Sequence, residues 1–291
     1  MLERILVPLD GSELSRRILE PVSRLAKTTN AEVRAISVVE DYAADQAMLR
    51  GEDPLGLASA ELGRALEPLT KLGLRTAYDS YIGDPATRIL EDAEDYRPSL
   101  IAMATHGRSG ADRWIRGSTA ERVLRRSPFP VLLANPRAID RALPIERILV
   151  PLDGSELSAR VLPAAVDLAR AYGADLILLH VIEGGAPTAD ASKVLEPFAA
   201  RLQGVRYRTV VTRGSAAFEI LEAAREQHAD LVAMATHGRS GPSRWVFGSA
   251  AEHVLHQCNA PLLVVRVSGL EEGARSKETA VTRRPLPSAS P

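Results

Sequence analysis

Residues 102–119, AMATHGRSGADRWIRGST, carry groups that can hold an anion, and the stretch occurs twice. Residues 233–250 read AMATHGRSGPSRWVFGSA, with the first nine residues unchanged. Each copy is an apolar run, then Thr-His-Gly, nine residues, and Gly-Ser opening an expected helix. A strand that passes through a glycine-bearing loop into a helix start has the geometry of a phosphate cradle. The first helical amides have no acceptor within the helix, and the macrodipole adds to their attraction for negative charge. The candidate donors are Gly107, Arg108, Ser109, Gly110, Gly117, Ser118 and Thr119 in the first copy. Gly238, Arg239, Ser240, Gly241, Gly248, Ser249 and Ala250 are those in the second.

Each of these residues also has a purely structural reading. Ser118 and Ser249 precede Glu121 and Glu252 by three, the spacing of a capping box. Gly107 and Gly117 can serve only to supply backbone angles that a side chain forbids. His106 and His237 have no second histidine or cysteine at ligand spacing beside them, which argues against a protein-ligated metal. Arg108, Arg113, Arg239 and Arg244 are phosphate contacts or solvated surface, and Trp114 and Trp245 fit burial at a domain or subunit contact. The sequence has no GxxxxGK[ST] run, no GxGxxG after the first strand and no GxSxG. That excludes a P-loop kinase or ATPase and argues against a Rossmann dehydrogenase or an α/β-hydrolase. No paired carboxylates flank the loop, so no general base is evident and any hydrolysis is expected to be slow.

The elements that must position these loops follow from a second repeat. Residues 3–15, ERILVPLDGSELS, reappear as residues 146–158. The offset is 143 residues there and 131 at the glycine loop, so the first half is 12 residues longer in between (143 less 131). The extra length falls near residues 41–60, read as a longer loop and helix start. Short apolar runs at 5–9, 33–39, 74–80, 99–104 and 129–133 read as buried strands. Helices are expected at 12–28, 55–72, from Asp84-Pro85 to before Pro98, and at 118–126, with Pro21 bending the first. The second half repeats the order, with strands at 148–152, 175–181, 205–211, 230–235 and 261–267. Its helices are expected at 155–172, 188–203, 215–227 and 249–257.

Strands alternating with helices predict an α/β fold, here two tandem doubly wound parallel five-stranded sheets. The expected division is a first domain over 1–134, a linker over 135–145, a second domain over 146–267, and a disordered polar tail over 268–291. Ligands of such sheets bind beyond the carboxyl ends of strands where the winding reverses. If the first and fourth strands are neighbours, Pro8, Asp10, Val38 and Met103 border one crevice with the first glycine loop. Pro151, Asp153, Val181 and Met234 border its counterpart. Asp10 can alternatively cap the first helix or hold a turn.

The 291-residue chain has a formal net charge of -1, which gives no bulk electrostatic case for nucleic acid or a membrane surface. Its one cysteine, Cys258, rules out an intramolecular disulfide and reads as a small part-buried hydrophobe. The absence of a signal peptide or membrane-length apolar stretch predicts a cytoplasmic protein.

Ala104-Thr-His-Gly107, nine residues and Gly117-Ser118 resemble the nucleotide-binding signature of the universal stress proteins, glycine-x-x-glycine-x9-glycine-serine/threonine. Ala235-Thr-His-Gly238, nine residues and Gly248-Ser249 resemble it again, and the Val-Pro-Leu-Asp-Gly-Ser strand end is similar to the family's opening. The likeness spans both halves, from about residue 2 to 267. It implies two such domains packed like a family homodimer, and leaves open whether two chains associate. For the ATP-binding branch, it implies ATP, with or without magnesium, as the ligand. Asp10 and Asp153 would lie near the ribose, Val38 and Val181 beside the adenine, and the glycine loops and Gly-Ser helix starts around the phosphates. A role in stress regulation follows from the same likeness. The competing reading is an interaction module with vestigial sites, and a third is an adenylyl- or phosphoryl-transferring enzyme. Two departures stand out. Ala104 and Ala235 replace the signature's first glycine, and Ala250 stands where the first half has Thr119.

Overall fold

The computed structural model describes residues 2–104, 119–134, 145–184, 193–236 and 248–267. The first-half strands are β1 (Arg4–Pro8), β2 (Glu32–Val39), β3 (Thr76–Ile82), β4 (Leu100–Ala104) and β5 (Val131–Ala134). The second half supplies β6 (Arg147–Pro151), β7 (Asp175–Ile182), β8 (Tyr207–Arg213), β9 (Leu231–Ala235) and β10 (Leu262–Val265). Within each half the strands are parallel, in the order β3-β2-β1-β4-β5 and its repeat β8-β7-β6-β9-β10.

The two five-stranded sets do not remain separate sheets. β5 and β10 pair antiparallel, Leu132 opposite Leu263, and fuse them into one ten-stranded sheet. β5 and β10 therefore have hydrogen-bonded neighbours on both sides, and their apolar runs are buried accordingly.

Helices cover both faces. On one lie α1 (Glu13–Arg17), α2 (Leu19–Thr29) and α4 (Pro54–Lys71), with α7 (Leu162–Tyr172) and α8 (Glu196–Ala199) of the second half. The other carries α5 (Pro85–Tyr96), α6 (Thr119–Arg126), α9 (Ala216–Glu226) and α10 (Ser249–Gln257). Each face has one apolar cluster, and each cluster takes residues from both halves. Leu25, Leu66, Val150 and Leu168 share the first, and Ile101, Leu124, Leu149 and Leu255 share the second.

Several helices differ from their sequence expectation. The first is broken at Ile18 into α1 and α2, and the second half has a 3-10 turn (Ser158–Val161) before α7. Pro21 and Pro163 cannot donate to the carbonyls four residues back, Arg17 and Ala159, and the breaks fall there. The two prolines are not strict counterparts: at the 143-residue offset, Pro163 matches Glu20 and Pro21 matches Ala164. The extra first-half residues form a helix of their own, α3 (Asp41–Leu49), which buries only Ala44 and Ala47. The helix expected over 188–203 is, among the described residues, a 3-10 turn (Lys193–Leu195) followed by the single turn of α8. Asp84 does cap α5, accepting from the Thr87 amide at 3.0 Å, with Pro85 in the first turn. The tail at 268–291 and the linker stretch 135–144 lie outside the described residues.

Candidate functional site

β1 pairs with both β2 and β4, and β6 with both β7 and β9. The winding reverses between β1 and β4, and again between β6 and β9. The condition on strand order is met in both halves, so each has a switch point at the carboxyl ends of its strands.

At the first switch point the chain leaves β1 through Asp10, Gly11 and Ser12. Asp10 Oδ1 accepts from the Ser12 amide (3.0 Å) and hydroxyl (2.6 Å). Ser12 Oγ in turn accepts from the Ser15 amide, capping α1. Asp153, Ser155 and Ser158 repeat this relay at 2.9, 2.6 and 3.1 Å. One oxygen of each aspartate thus holds a turn, the structural role open to Asp10 from its sequence context. Gly11 and Gly154 have φ of +78° and +86°, angles that an L side chain strains to adopt.

Val38 and Val181 are partly exposed near the ends of β2 and β7, and Pro8 and Pro151 are partly exposed at the ends of β1 and β6. Met103 and Met234 are buried in the second apolar cluster. Ala104 packs against the first cluster and Ala235 is buried. Thr119, the first residue of α6, is partly buried. Gly107, Arg108, Ser109, Gly110, Gly117, Ser118, Gly238, Arg239, Ser240 and Gly241 lie outside the described residues, as do both tryptophans, His106 and His237.

The start of α10 is described and corrects one expectation. Its N-cap is Gly248, with no side-chain capping bond, and Ser249 is the first helical residue with an exposed side chain. Ser249 is therefore not the capping serine of a capping box. The first helical hydrogen bond runs from Glu252 N–H to Gly248 O, and the Gly248 amide donates to Thr236 O at 2.9 Å. The amides of Ser249, Ala250 and Ala251 precede that bond and have no acceptor within the helix. Gly248 has φ −66°, and among the described residues a Cβ added there would meet only Thr236 O, at 3.6 Å. Neither backbone angle nor this packing requires glycine at 248. Thr236, which sequence reasoning passed over, is fully buried and ties the strand end together: its amide donates to Val265 O, and its Oγ1 accepts from the Val267 amide. The signal for it was the Thr of the repeated Thr-His-Gly.

The halves differ around this frame. In the first, Arg122 of α6 donates to both oxygens of Asp84 at 2.6 Å, joining the start of α5 to α6. These bonds, with those from Thr87, hold the Asp84 carboxyl well below the usual aspartate range. At the 131-residue offset the second half has Ser215 and His253 instead. Beside Gly11, Glu61 comes from α4 and pairs with Arg16 at 3.1 Å. Where the first half has Ser37, the second has His180, buried, with Nδ1 2.8 Å from Leu152 O. A carbonyl only accepts, so Nδ1 carries the proton. Cys258 is buried, and burial pushes its thiol up to about 11. Among the described residues there is no group of three or more His, Cys, Asp or Glu placed to hold a metal, and no helix long and apolar enough to cross a membrane.

Two doubly wound halves, each with a switch point between its first and fourth strands, define a tandem α/β protein. The universal stress protein family profile matches residues 1–135 and 144–266, and the chain belongs to that family. A universal stress protein of Methanocaldococcus jannaschii is 34% identical over 137 residues, 45% of this chain and 81% of that protein. One from Bacillus subtilis is 30% identical over 145 residues, 41% of this chain and 98% of its own length. The crystal structure of an Archaeoglobus fulgidus universal stress protein superposes with a TM-score of 0.71 at 25% identity, covering 90% of this chain and 98% of that one.

Proposed function

We propose that this protein binds adenine nucleotide, ATP foremost, at the switch points of one or both halves and acts as a regulator in stress response. The observation that carries the reading is the start of α10. Three amides without helical acceptors begin the helix beside an exposed Ser249 hydroxyl, and among the described residues neither the backbone angle nor a close contact calls for glycine at 248. A glycine that its described neighbours do not require fits a backbone that a phosphate must approach closely. Asp10 and Asp153 would lie near the ribose. Val38 and Val181 would border the base, and the repeated glycine loops would wrap the phosphates. Ser118 and Thr119 give the first site one more hydroxyl than Ser249 and Ala250 give the second. Magnesium would enter with the triphosphate, since no described cluster is built to hold it.

Calorimetric titration with ATP and magnesium tests this on the whole chain and on a Gly117→Val/Gly248→Val variant. The wild type is expected to bind and the variant to lose at least about tenfold in affinity, roughly 1.4 kcal/mol. At 248 the described residues leave room for the added Cβ, and the backbone angle is ordinary. A folded variant that binds as well as the wild type would sink the proposal and favour a partner-binding module without nucleotide.

A further inference from the structure

The seam that joins the halves also sets α2 and α7 against each other on one face of the sheet. At the 143-residue offset, Pro21 corresponds to Ala164, Arg24 to Asp167 and Thr29 to Tyr172. The two sides of this pseudo-twofold contact are filled differently. Tyr172 reaches across, packs against the first apolar cluster and donates its hydroxyl to Pro21 O at 3.3 Å. Pro21 is buried on that side.

On the opposite side Thr29 stands in place of the tyrosine. Its hydroxyl turns back to its own helix, donating to Leu25 O at 2.8 Å. Around Ala164, the counterpart of Pro21, an open groove of about 220 Å³ remains, with Leu2, Leu100, Leu168 and Leu263 among its other walls. Ala164, the counterpart of buried Pro21, is only partly buried. Arg160 and Asp167 add polar groups to the lining. This volume is below the roughly 300–1,000 Å³ of a site for a drug-sized ligand but above the roughly 150 Å³ of an apolar cavity that takes a single benzene ring.

We infer that this groove is a binding site for a small aryl alcohol. The same protein shows what fills such a place: on the equivalent side it supplies a phenol ring from Tyr172, seated on apolar side chains and hydrogen-bonded to a backbone carbonyl. An external phenol in the open groove would lay its ring between Leu2, Leu168 and Leu263 and donate to Ala164 O. The site is remote in kind from the switch-point crevices, and it does not depend on the nucleotide reading.

The probe is 4-methylphenol, followed through the methyl NMR signals of the whole chain, with toluene as the partner lacking a hydroxyl. Saturating shifts are expected at Leu2, Leu168 and Leu263, with toluene binding more weakly. Thr29→Tyr, which copies Tyr172 onto the open side, should abolish those shifts and raise the thermal midpoint. Should that chain fail to fold, Ala164→Phe blocks the same groove from the other wall. Tyr172→Thr should open the second side and add saturating shifts at Ile145 and Leu132. No saturable shift in the wild type would overturn the inference. So would undiminished binding to a folded Thr29→Tyr or Ala164→Phe chain, or a Tyr172→Thr chain that gains no second set.

Discussion

Between β2, β3 and α5, the first half holds a charged network where the second half is uncharged. Arg34 donates to Asp92 through Nη2 at 2.8 Å and Nε at 3.2 Å, Tyr81 Oη donates to Asp92 at 2.7 Å, and Arg34 also pairs with Asp79. The Asp92 side chain is 3% exposed and that of Arg34 23%. The Arg34 guanidinium also lies over the Tyr96 ring, 5.4 Å from its centroid. These bonds raise the Arg34 pKa further, while burial and the Asp92 contact raise that of Tyr81. The corresponding residues of the second half are Ile177, Val210, Thr212 and Ala223. Ile177 and Ala223 belong to the apolar cluster, with Val210 packed against it. The same strand and helix frame thus tolerates two solutions. A buried ion pair is retained only if every partner is present, because desolvation offsets most of its attraction.

The largest expected effect breaks that network from one side. Asp92→Ala leaves Arg34 and Tyr81 without their shared acceptor and should cost about 3 kcal/mol in chemical denaturation. Replacing Arg34, Asp79, Tyr81 and Asp92 together by Ile, Val, Thr and Ala should return most of that loss. If the fourfold chain is as unstable as Asp92→Ala, the two solutions are not interchangeable. Next in size, His180→Ala removes a buried ring and strands Leu152 O, at an expected cost of about 2 kcal/mol. Ser37→Ala, at the matching first-half position, should change the denaturation midpoint little. Smaller again, Thr212 Oγ1 is buried with no hydrogen-bond partner among the described residues. Thr212→Val is expected to stabilise by about 1 kcal/mol, which thermal unfolding reads directly.

The smallest effect lies in the Asp84–Arg122 pair. The folded Asp84 pKa is depressed, so its contribution is present above the unfolded value of about 4 and is lost as pH falls below it. Thermal midpoints taken from neutral to acid pH should therefore fall less steeply for Asp84→Asn than for the wild type. Both side chains are well exposed, 42% and 38%, so solvent screening keeps the difference slight. An equal slope would mean that the pair does not distinguish the first half from the second.

Most of the element order was readable from apolar runs and from the repeat itself, since a period shared by two copies fixes where strands and helices must alternate. Strand order was not, because spacing does not choose a neighbour; the β1–β4 contact needed coordinates. Joining through β5 and β10 left no mark on either half's pattern, as a centrally buried strand and an apolar edge read alike. The α3 helix was missed because it buries two alanines and little else. Of the candidate site, the strand-end aspartates and the start of α10 were legible through their duplication. His180 there, and Arg34 and Asp92 outside the site, were not, yet each sits where the two copies carry residues of different kinds. Reading the two copies for disagreement as well as identity would have flagged all three.

The antiparallel pairing of β5 with β10 has a consequence for behaviour on dilution. Each half finds its counterpart along the same polypeptide, so the central join is a first-order event whose local concentration is set by the connecting segment. It cannot be titrated away as a seam between separate chains can. It also turns the two sets of strands head to tail, so the carboxyl-end openings look out from opposite rims, and one small molecule cannot occupy both.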